Sequence, residues 1–233
     1  MKKVIRIILF CWAFQGFSQS EKDPSYTREF GYGINFNTIG GVLGGLKARA
    51  AFLCSEKSYH HLYLEMVRIK HPKETLVYAA LSGRSYIYNK RYYLYMLRPM
   101  YGRELILFYK DRDQGVHVNA IVAAGPSIGL RAPYLIIYDG KEVHYDPTVH
   151  NNGSKIEGVG NYVAALFQAQ PIMGASAKIA LSFEIGTFKQ SITGFEFGFM
   201  NDYLLKPIYM IHNSYGQQFF QSLYVALYVG SRN

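Results

Sequence analysis

Cysteine and tryptophan are scarce in this sequence. Of 233 residues, two are cysteines and one is a tryptophan, and Cys11 and Trp12 both stand near the N-terminus. The remaining cysteine, Cys54, has no partner for an internal disulfide, so a disulfide-stapled scaffold is excluded. No segment reaches the roughly 18 consecutive apolar residues that a membrane-spanning helix needs. The sequence therefore excludes a helical membrane protein as well.

The N-terminus has the pattern of a secretory signal peptide. Lys2, Lys3 and Arg6 make a basic start, an apolar run covers residues 7–14, and "GFS" at residues 16–18 has the small-x-small pattern of a cleavage site. The apolar run is far shorter than the roughly 20 residues of a membrane span. The sequence therefore predicts a signal peptide at residues 1–18, removed after about Ser18, and a short N-terminal segment at residues 19–25.

Aromatic residues and glycine are abundant. The chain holds 21 tyrosines, 15 phenylalanines and 22 glycines, a composition that favours β-structure. Without residues 1–18 it carries 22 basic and 16 acidic residues. The basic residues are scattered rather than gathered in a stripe, so no nucleic-acid partner is expected. The net positive charge favours attraction to anionic outer-membrane lipid and lipopolysaccharide instead.

Eight segments alternate apolar and polar residues with the two-residue period of a β-strand. In "ASAKIALSFEIG", for example, the apolar residues from Ala175 to Ile185 fall on one face, and Lys178 and Glu184 fall on the other. The eight segments are residues 28–37, 46–52, 61–69, 92–102, 116–131, 175–186, 191–199 and 222–230.

The connections between these segments alternate in length, with long ones expected at Lys70–Lys90, Ala132–Phe167 and Met200–Gln218. This alternation is typical of a closed membrane barrel. Residues 26–233 are therefore predicted to form an all-β fold: an eight-stranded antiparallel transmembrane β-barrel, an up-and-down meander with long extracellular loops. Two hairpins are expected outside the membrane, one around Asp139-Gly140 and one within residues 76–90. Ten strands would result if the second hairpin joined the barrel.

The polar face of the strands combines charges of both signs with glycine, which indicates a crowded lumen rather than a face open to water. The opposite, apolar face is then the lipid-facing one, with tyrosines forming girdles at the membrane interfaces. The expected lumen charge network consists of Lys47, Arg49, Glu65, Arg98, Lys178, Glu184 and Glu196. The expected aromatic girdle consists of Tyr32, Tyr93, Tyr95 and Tyr101.

Three stretches resemble uncharacterised outer-membrane β-barrel proteins of Bacteroidetes: "LRPMYGRELILFYKDRDQGVHVNAIVAAGPSIGL", "GRSYIYNKRYY" and "GASAKIALSFEIG". The resemblance covers most of residues 26–233 and implies a barrel fold and an outer-membrane location. Its motifs are strand patterns and glycine positions, so it implies hardly anything about function. The chain departs from many proteobacterial barrels in ending "YVGSRN" rather than on an aromatic residue.

Three classes of function remain open. A structural or interaction protein, which displays loops or docks as an accessory subunit of a larger outer-membrane complex, is favoured because bulky lumen residues leave little room for a channel. The alternatives are a small porin or solute-binding barrel and an outer-membrane enzyme acting on lipid. No catalytic residue, metal ligand or cofactor is assigned, because no nucleophile elbow or convergent ligand set occurs. The loop expected to contact protein partners contains Tyr138, Asp139, Gly140, His144 and Tyr145.

Overall fold

The computed structural model describes residues 27–55, 58–80, 82–108, 116–150, 152–185 and 191–232. The expected signal peptide and the segment at residues 19–25 lie outside the described residues. In chain order the elements are β1 (Arg28–Asn37), β2 (Gly41–Ser55), β3 (Ser58–Ile69), β4 (Thr75–Tyr78), β5 (Ser85–Tyr88), β6 (Tyr92–Phe108), β7 (His117–Pro133), β8 (Leu135–Tyr138), β9 (Lys141–His144), a 3-10 helix (Gly153–Lys155), β10 (Ile156–Val159), α1 (Tyr162–Phe167), β11 (Gln170–Glu184), β12 (Ser191–Ile208) and β13 (Gln217–Arg232).

Eight long strands close into one barrel, in the order β1-β13-β12-β11-β7-β6-β3-β2, and β2 pairs with β1 again. Every neighbouring pair is antiparallel, and the ring closes where β1 runs against β13. The predicted eight-stranded meander is confirmed. Strands β4 and β5 form a separate two-stranded sheet, so the hairpin within residues 76–90 stays outside the barrel, as expected.

The alternation along the strands places polar side chains inside the barrel and apolar ones outside. In β11, Lys178 is 1% exposed, whereas its neighbour Ile179 is 66% exposed on the outer surface. Outward-facing leucines, valines and phenylalanines continue this surface around the ring, for example Leu46, Leu64, Val122, Phe197 and Leu227. A contiguous apolar surface of this kind is unfavourable in water and is the lipid-facing surface of a transmembrane barrel. No helix within the described residues is long and apolar enough to cross a membrane.

Most barrel strands are longer than the sequence pattern predicts, and β6 and β12 extend furthest beyond their predicted C-terminal ends. β6 extends to Phe108 and β12 to Ile208, whereas the apolar alternation was expected to end at residues 102 and 199. The expected long connection Met200–Gln218 is wrong, because β12 continues to pair with β13 through Tyr203 and Phe219. Residues 209–216 make the connection instead. In β12 the backbone ladder therefore persists where the side chains no longer alternate cleanly.

The barrel has two unlike ends. At the short-turn end, β2 and β3 are separated by only two residues. At the long-loop end, residues 70–91 and 134–169 fold over the rim, and we call these two segments the loop layer. The loop layer contains the β4–β5 hairpin, a three-stranded sheet in the order β10-β8-β9, and α1. The expected hairpin around Asp139-Gly140 is confirmed as β8–β9, with the positive φ angles of 52° and 72° that a type I′ turn requires.

Glycine makes room inside the barrel for large aromatic side chains. A Cβ atom at Gly194 would lie 2.6 Å from the hydroxyl oxygen of Tyr228, and one at Gly198 would lie 2.8 Å from that of Tyr224. Both distances are shorter than van der Waals contact permits. Inward-facing glycine on β12 therefore complements inward-facing tyrosine on β13, so the lumen is filled by side chains.

Candidate functional site

Among the residues that the structure describes, ten charged side chains are buried in the lumen, and we call them the lumen network. Each is at most 4% exposed. They are Glu29, Lys47, Arg49, Glu65, Arg98, Glu104, Lys178, Glu184, Glu196 and Asp202. Arg232, at the end of β13, adds a further cation at the rim. Because inward positions alternate along every strand, the network comes from strands all round the ring and links them across the lumen.

The middle of the network joins strands on opposite sides of the barrel. The Lys178 ammonium on β11 lies 2.8 Å from a Glu65 oxygen on β3 and 3.1 Å from a Glu196 oxygen on β12. Lys47 on β2 also pairs with Glu196. The Lys178 ammonium lies 3.5 Å from the centroid of the Tyr63 ring, a close cation–π contact. Each charge in this dry interior is thus matched by opposite charge, which burial demands.

A bidentate pair lies next along the lumen, towards the long-loop end. The Nε and Nη2 atoms of Arg98 donate to the two carboxylate oxygens of Asp202, at 2.8 and 2.6 Å. The hydroxyl of Ser176 donates to the same carboxylate at 2.5 Å. Nη1 of Arg98 lies 3.8 Å from Glu65, so this pair is continuous with the middle of the network. Fork-on-fork geometry is the strongest arrangement available to an arginine and a carboxylate.

A second group of charges lies at the short-turn end. Arg49 pairs with Glu29, and its Nη2 atom lies 3.7 Å from Glu104 and 3.9 Å from Glu184. Its guanidinium also stacks 4.4 Å from the Tyr228 ring centroid. One cation therefore faces three carboxylates there. Two further groups pair with these carboxylates, namely Arg232 with Glu184 and His61 with Glu104.

An apolar cluster closes the lumen at the long-loop end, and we call it the apolar plug. Its side chains come from β3, β6, β11, β12, β13 and the connection after β12, and each is at most 8% exposed. They are Ile69, Leu94, Met96, Ile172, Leu204, Ile208, Met210 and Phe220. Charged and apolar layers thus follow one another along the barrel axis, and both fill the lumen.

The structure places all seven sequence-predicted lumen residues inside the barrel and joins them into ion pairs with one another or with three further carboxylates. Those three, Glu29, Glu104 and Asp202, are missing from the sequence prediction. Glu29 stands at an inward-facing position of the alternation in β1, so the sequence pattern could have identified it. Glu104 and Asp202 stand in segments that were expected to be loops. For Glu104 the alternation "RELILF" continues the inward face of β6 and was readable in the sequence.

The expected aromatic girdle needs a correction at two positions. Tyr32 and Tyr101 face outward and are 61% and 52% exposed. Tyr93 and Tyr95 are only 6% and 5% exposed, so neither is available to a membrane interface. The loop layer covers both rings, because Tyr162 of α1 packs edge-on against each of them. The prediction that these positions of β6 point away from the lumen is correct, but the loop layer packs against the first residues of the strand and buries them.

The expected partner-binding loop needs a correction as well. Asp139 and Gly140 are exposed at the β8–β9 turn. Tyr145 is 1% exposed and belongs to the core of the loop layer. Tyr138 packs edge-on against His150 at 4.8 Å, and the ring of His144 contacts the carbonyl oxygen of Arg91, within the loop layer, at 3.1 Å. Most of this group is therefore used in holding the loop layer together.

Three exposed apolar side chains of the loop layer lie on the β4–β5 hairpin, and Phe167 at the end of α1 is exposed as well, at 88%. Leu76 and Tyr78 share one face of β4 and are 58% and 70% exposed, and Tyr88 is 52% exposed at the end of β5. On the opposite face, Val77 and Tyr86 pack into the loop-layer core. On β4, one face is thus anchored and the other is presented to its surroundings, whereas on β5 Ile87 packs against the core and Tyr88 is exposed. Sequence alternation in "TLVYAAL" carries this signal, but the sequence alone does not say which face is covered.

A buried lysine lies within the loop layer. Lys90 is 1% exposed, and its ammonium pairs with the Glu74 carboxylate and lies 4.6 and 5.9 Å from the ring centroids of Tyr93 and Tyr134. Burial lowers the pKa of Lys90 from 10.5 to about 8, although Glu74 acts in the opposite direction. Burial also raises the pKa of the Tyr134 hydroxyl, which accepts a hydrogen bond from the Ile87 amide at 2.7 Å.

The geometry of the lumen favours ion pairing over catalysis. Two buried serine hydroxyls in the lumen, those of Ser176 and Ser182, have Asp202 and Tyr228 as their partners. Within the described ranges, neither of these two hydroxyls bonds to a histidine, so neither forms the serine–histidine pair of a nucleophilic site. In the same part of the chain, no three histidine, cysteine, aspartate or glutamate side chains are grouped so that they could hold a metal ion.

We expect Arg98→Ala to lower the free energy of unfolding by about 3–5 kcal/mol, because the Asp202 and Glu65 carboxylates lose a cation in a dry interior. Reversible urea unfolding in lipid vesicles measures this. The matched control is Lys155→Ala, which removes the exposed Lys155–Asp139 pair at 3.5 Å and should cost roughly 0–1 kcal/mol. Equal losses for the two variants would show that Arg98 is solvated.

We expect the loop layer to become more stable as the pH rises from about 8 towards 10. Since the pKa of Lys90 is about 8 in the folded chain and about 10.4 when unfolded, the unfolded chain binds more protons in this window, so stability rises with pH. Hydrogen-exchange protection of β4 and β5 at pH 7 and 9.5, normalised to unstructured peptide, measures it. The rise should vanish in Lys90→Met and persist in the exposed control Lys141→Met. Hydrogen-exchange protection that does not change with pH in the wild-type chain would contradict a lowered pKa of Lys90.

No protein-family model and no curated protein matches the sequence. The chain is similar, at low TM-scores, to solved structures of two proteins. Neisserial surface protein A is 9% identical over 91% of this chain and 100% of its own, with a TM-score of 0.40. Ail, the attachment invasion locus protein of Yersinia pestis, is 9% identical over 88% of this chain and 96% of its own, with a TM-score of 0.39. Ail in complex with the heparin analogue sucrose octasulfate has a TM-score of 0.36 at 8% identity over the same shares of both chains.

Proposed function

We propose that the chain is an integral outer-membrane protein with a closed lumen, and that it acts through its surface rather than as a pore or an enzyme. In this proposal residues 1–18 direct export, the loop layer lies outside the cell, and the short-turn end faces the periplasm. The protein displays the loop layer to partners, or docks through it as an accessory subunit of a larger outer-membrane complex. Lipid and lipopolysaccharide surround the apolar exterior.

The observation that carries the proposal is the filling of the lumen. The charged layers and the apolar plug occupy successive levels of the barrel, so a solute moving along the axis meets paired charges and then packed aliphatic side chains. Separating the buried Lys178–Glu196 or Arg98–Asp202 pairs would expose unpaired charge, which is strongly unfavourable. A steady open pathway is therefore not compatible with this interior, and the small-porin alternative is disfavoured.

A second observation favours an interaction role for the loop layer. Its core contains the buried tyrosines Tyr86, Tyr134 and Tyr145 together with Ile136 and Ile156, so these connections are folded rather than merely long. Leu76 and Tyr78 project from this folded layer and are largely exposed. Tyrosine provides a large contact area at a low entropic cost, which suits a surface that binds another protein.

We expect the purified protein to show no steady conductance in a planar bilayer, because the lumen network and the apolar plug fill the barrel. Insertion is verified separately by the different gel migration of boiled and unboiled samples. Deleting residues 76–90 should leave the bilayer silent, since these residues lie outside the barrel. Reproducible nanosiemens steps from the wild-type protein would overturn the closed-barrel proposal and support a porin.

We expect partner proteins to co-purify with the chain from native outer membranes in mild detergent, and Leu76→Ser/Tyr78→Ser to reduce their recovery several-fold. The hydrophobic contact area of β4 is lost in this variant, whereas its anchored face is unchanged. Lys141→Ser, on exposed β9, is the control and should retain the partners. Recovery that is identical for all three proteins would show that β4 is not the contact surface, and recovery of no partner would contradict the interaction role.

A further inference from the structure

The barrel wall is incomplete between β11 and β12 near the long-loop end. The ladder between these strands ends at the pair Gly174 and Leu204, yet β11 begins four residues earlier and β12 ends four residues later. β12 also changes register against β13 after Tyr203. Beyond the last pair each strand carries a proline, Pro171 on β11 and Pro207 on β12. Proline has no N–H to donate to a ladder, so the two strand ends separate.

A cleft of about 480 Å³ lies between the separated strands. Its walls include Pro171 and Pro207, and Met173 and Leu205 are 54% and 65% exposed at its margins on the outer surface of the barrel. Ile172, which also lines the cleft, belongs to the apolar plug, so the inner wall is apolar too. The volume falls in the range of small-molecule sites. The cleft therefore opens sideways, towards the membrane, and ends at the closed lumen.

Two cations line the same cleft, Arg131 and Lys206. Arg131 donates to the Gln170 side chain and stacks 4.8 Å from the Tyr92 ring centroid, while its Nε atom is buried with no hydrogen-bond partner. Neither cation has a carboxylate within ion-pair distance in the part of the chain that the structure describes. Every cation of the lumen network, by contrast, has such a partner. The positive charge at the cleft is therefore available to an anionic ligand.

We propose that the cleft binds a single-chain anionic lipid, which enters sideways from the membrane leaflet at the long-loop end. The acyl chain lies between Met173 and Leu205 against the apolar inner wall, and the anionic head group lies against Arg131 and Lys206. Charge complementarity selects an anion, and the apolar walls select a hydrocarbon chain. A water-soluble anion would leave the apolar walls uncovered, and a neutral chain would leave the two cations without an anionic partner.

Methionine methyl resonances test this site directly in phosphatidylcholine nanodiscs. The methyl group of Met173 reports on the cleft. That of Met66 is the control, since Met66 is 40% exposed on the outer surface of β3, away from the cleft. Both methionines face outward, and the ladder connects Met66 through Leu97 and Ile128 to Met173, so Met66 lies three strands away from the cleft. The probe is dodecyl phosphate, compared with dodecanol and with inorganic phosphate.

Dodecyl phosphate should shift the Met173 methyl resonance in a saturable way and leave that of Met66 in place. Arg131→Gln/Lys206→Gln should raise its Kd about tenfold or more, because two charge-assisted contacts are lost, and Lys141→Gln should leave it unchanged. Boiled and unboiled gel samples verify that each variant is folded. Equal shifts at both methionines would mean partitioning into the bilayer and would overturn the proposal. The proposal would also be overturned if dodecanol bound with the same affinity, or if inorganic phosphate shifted the Met173 resonance to the same extent. The same holds if dodecyl phosphate caused no saturable shift, or if its Kd were unchanged in the double variant.

Discussion

The pairing of opposite charges inside a closed lumen is the constraint on which the rest of the structure depends. Six carboxylates and their cations lie where water is excluded, and each carboxylate faces a cation from another strand. The pairs connect strands that are not neighbours in the ring, such as β3 and β11 through Glu65 and Lys178. They can form only when the barrel is closed in one register, because a slip by one residue would turn every inward side chain towards lipid.

This constraint also explains the distribution of the other residue types. Large inward aromatic side chains need inward glycine opposite them, as Gly194 and Gly198 show beside Tyr228 and Tyr224. The outer surface can then be largely apolar, because most of the charge of the strands is paired inside. At the long-loop end the charges give way to the apolar plug, and the loop layer packs over that plug. A filled interior leaves the protein two surfaces for its function, the folded loop layer and the lipid-facing wall.

The sequence pattern predicted the strands well where one face is charged and the other apolar, as in β1 and β11. It failed where both faces are apolar or both are polar. In "FMNDYLLKPI" Asp202 points inward beside Leu204, which fills the apolar plug, so the period of two is hidden and the segment resembles a loop. The girdle prediction at Tyr93 and Tyr95 fails for another reason. Both side chains point out of the barrel as predicted, but α1 covers them. No local pattern contains that packing.

The sequence by itself determined the eight strands, the sense of inside and outside, and most of the charges that lie in the lumen. It could do so because the pleat makes side-chain direction a local property with a period of two. Only the tertiary structure decided which carboxylate meets which cation, which face of β4 is covered, and where β11 and β12 separate. Those outcomes depend on contacts between residues far apart in the chain, such as Arg98 and Asp202. Strand register and barrel closure determine these contacts, and the local sequence does not.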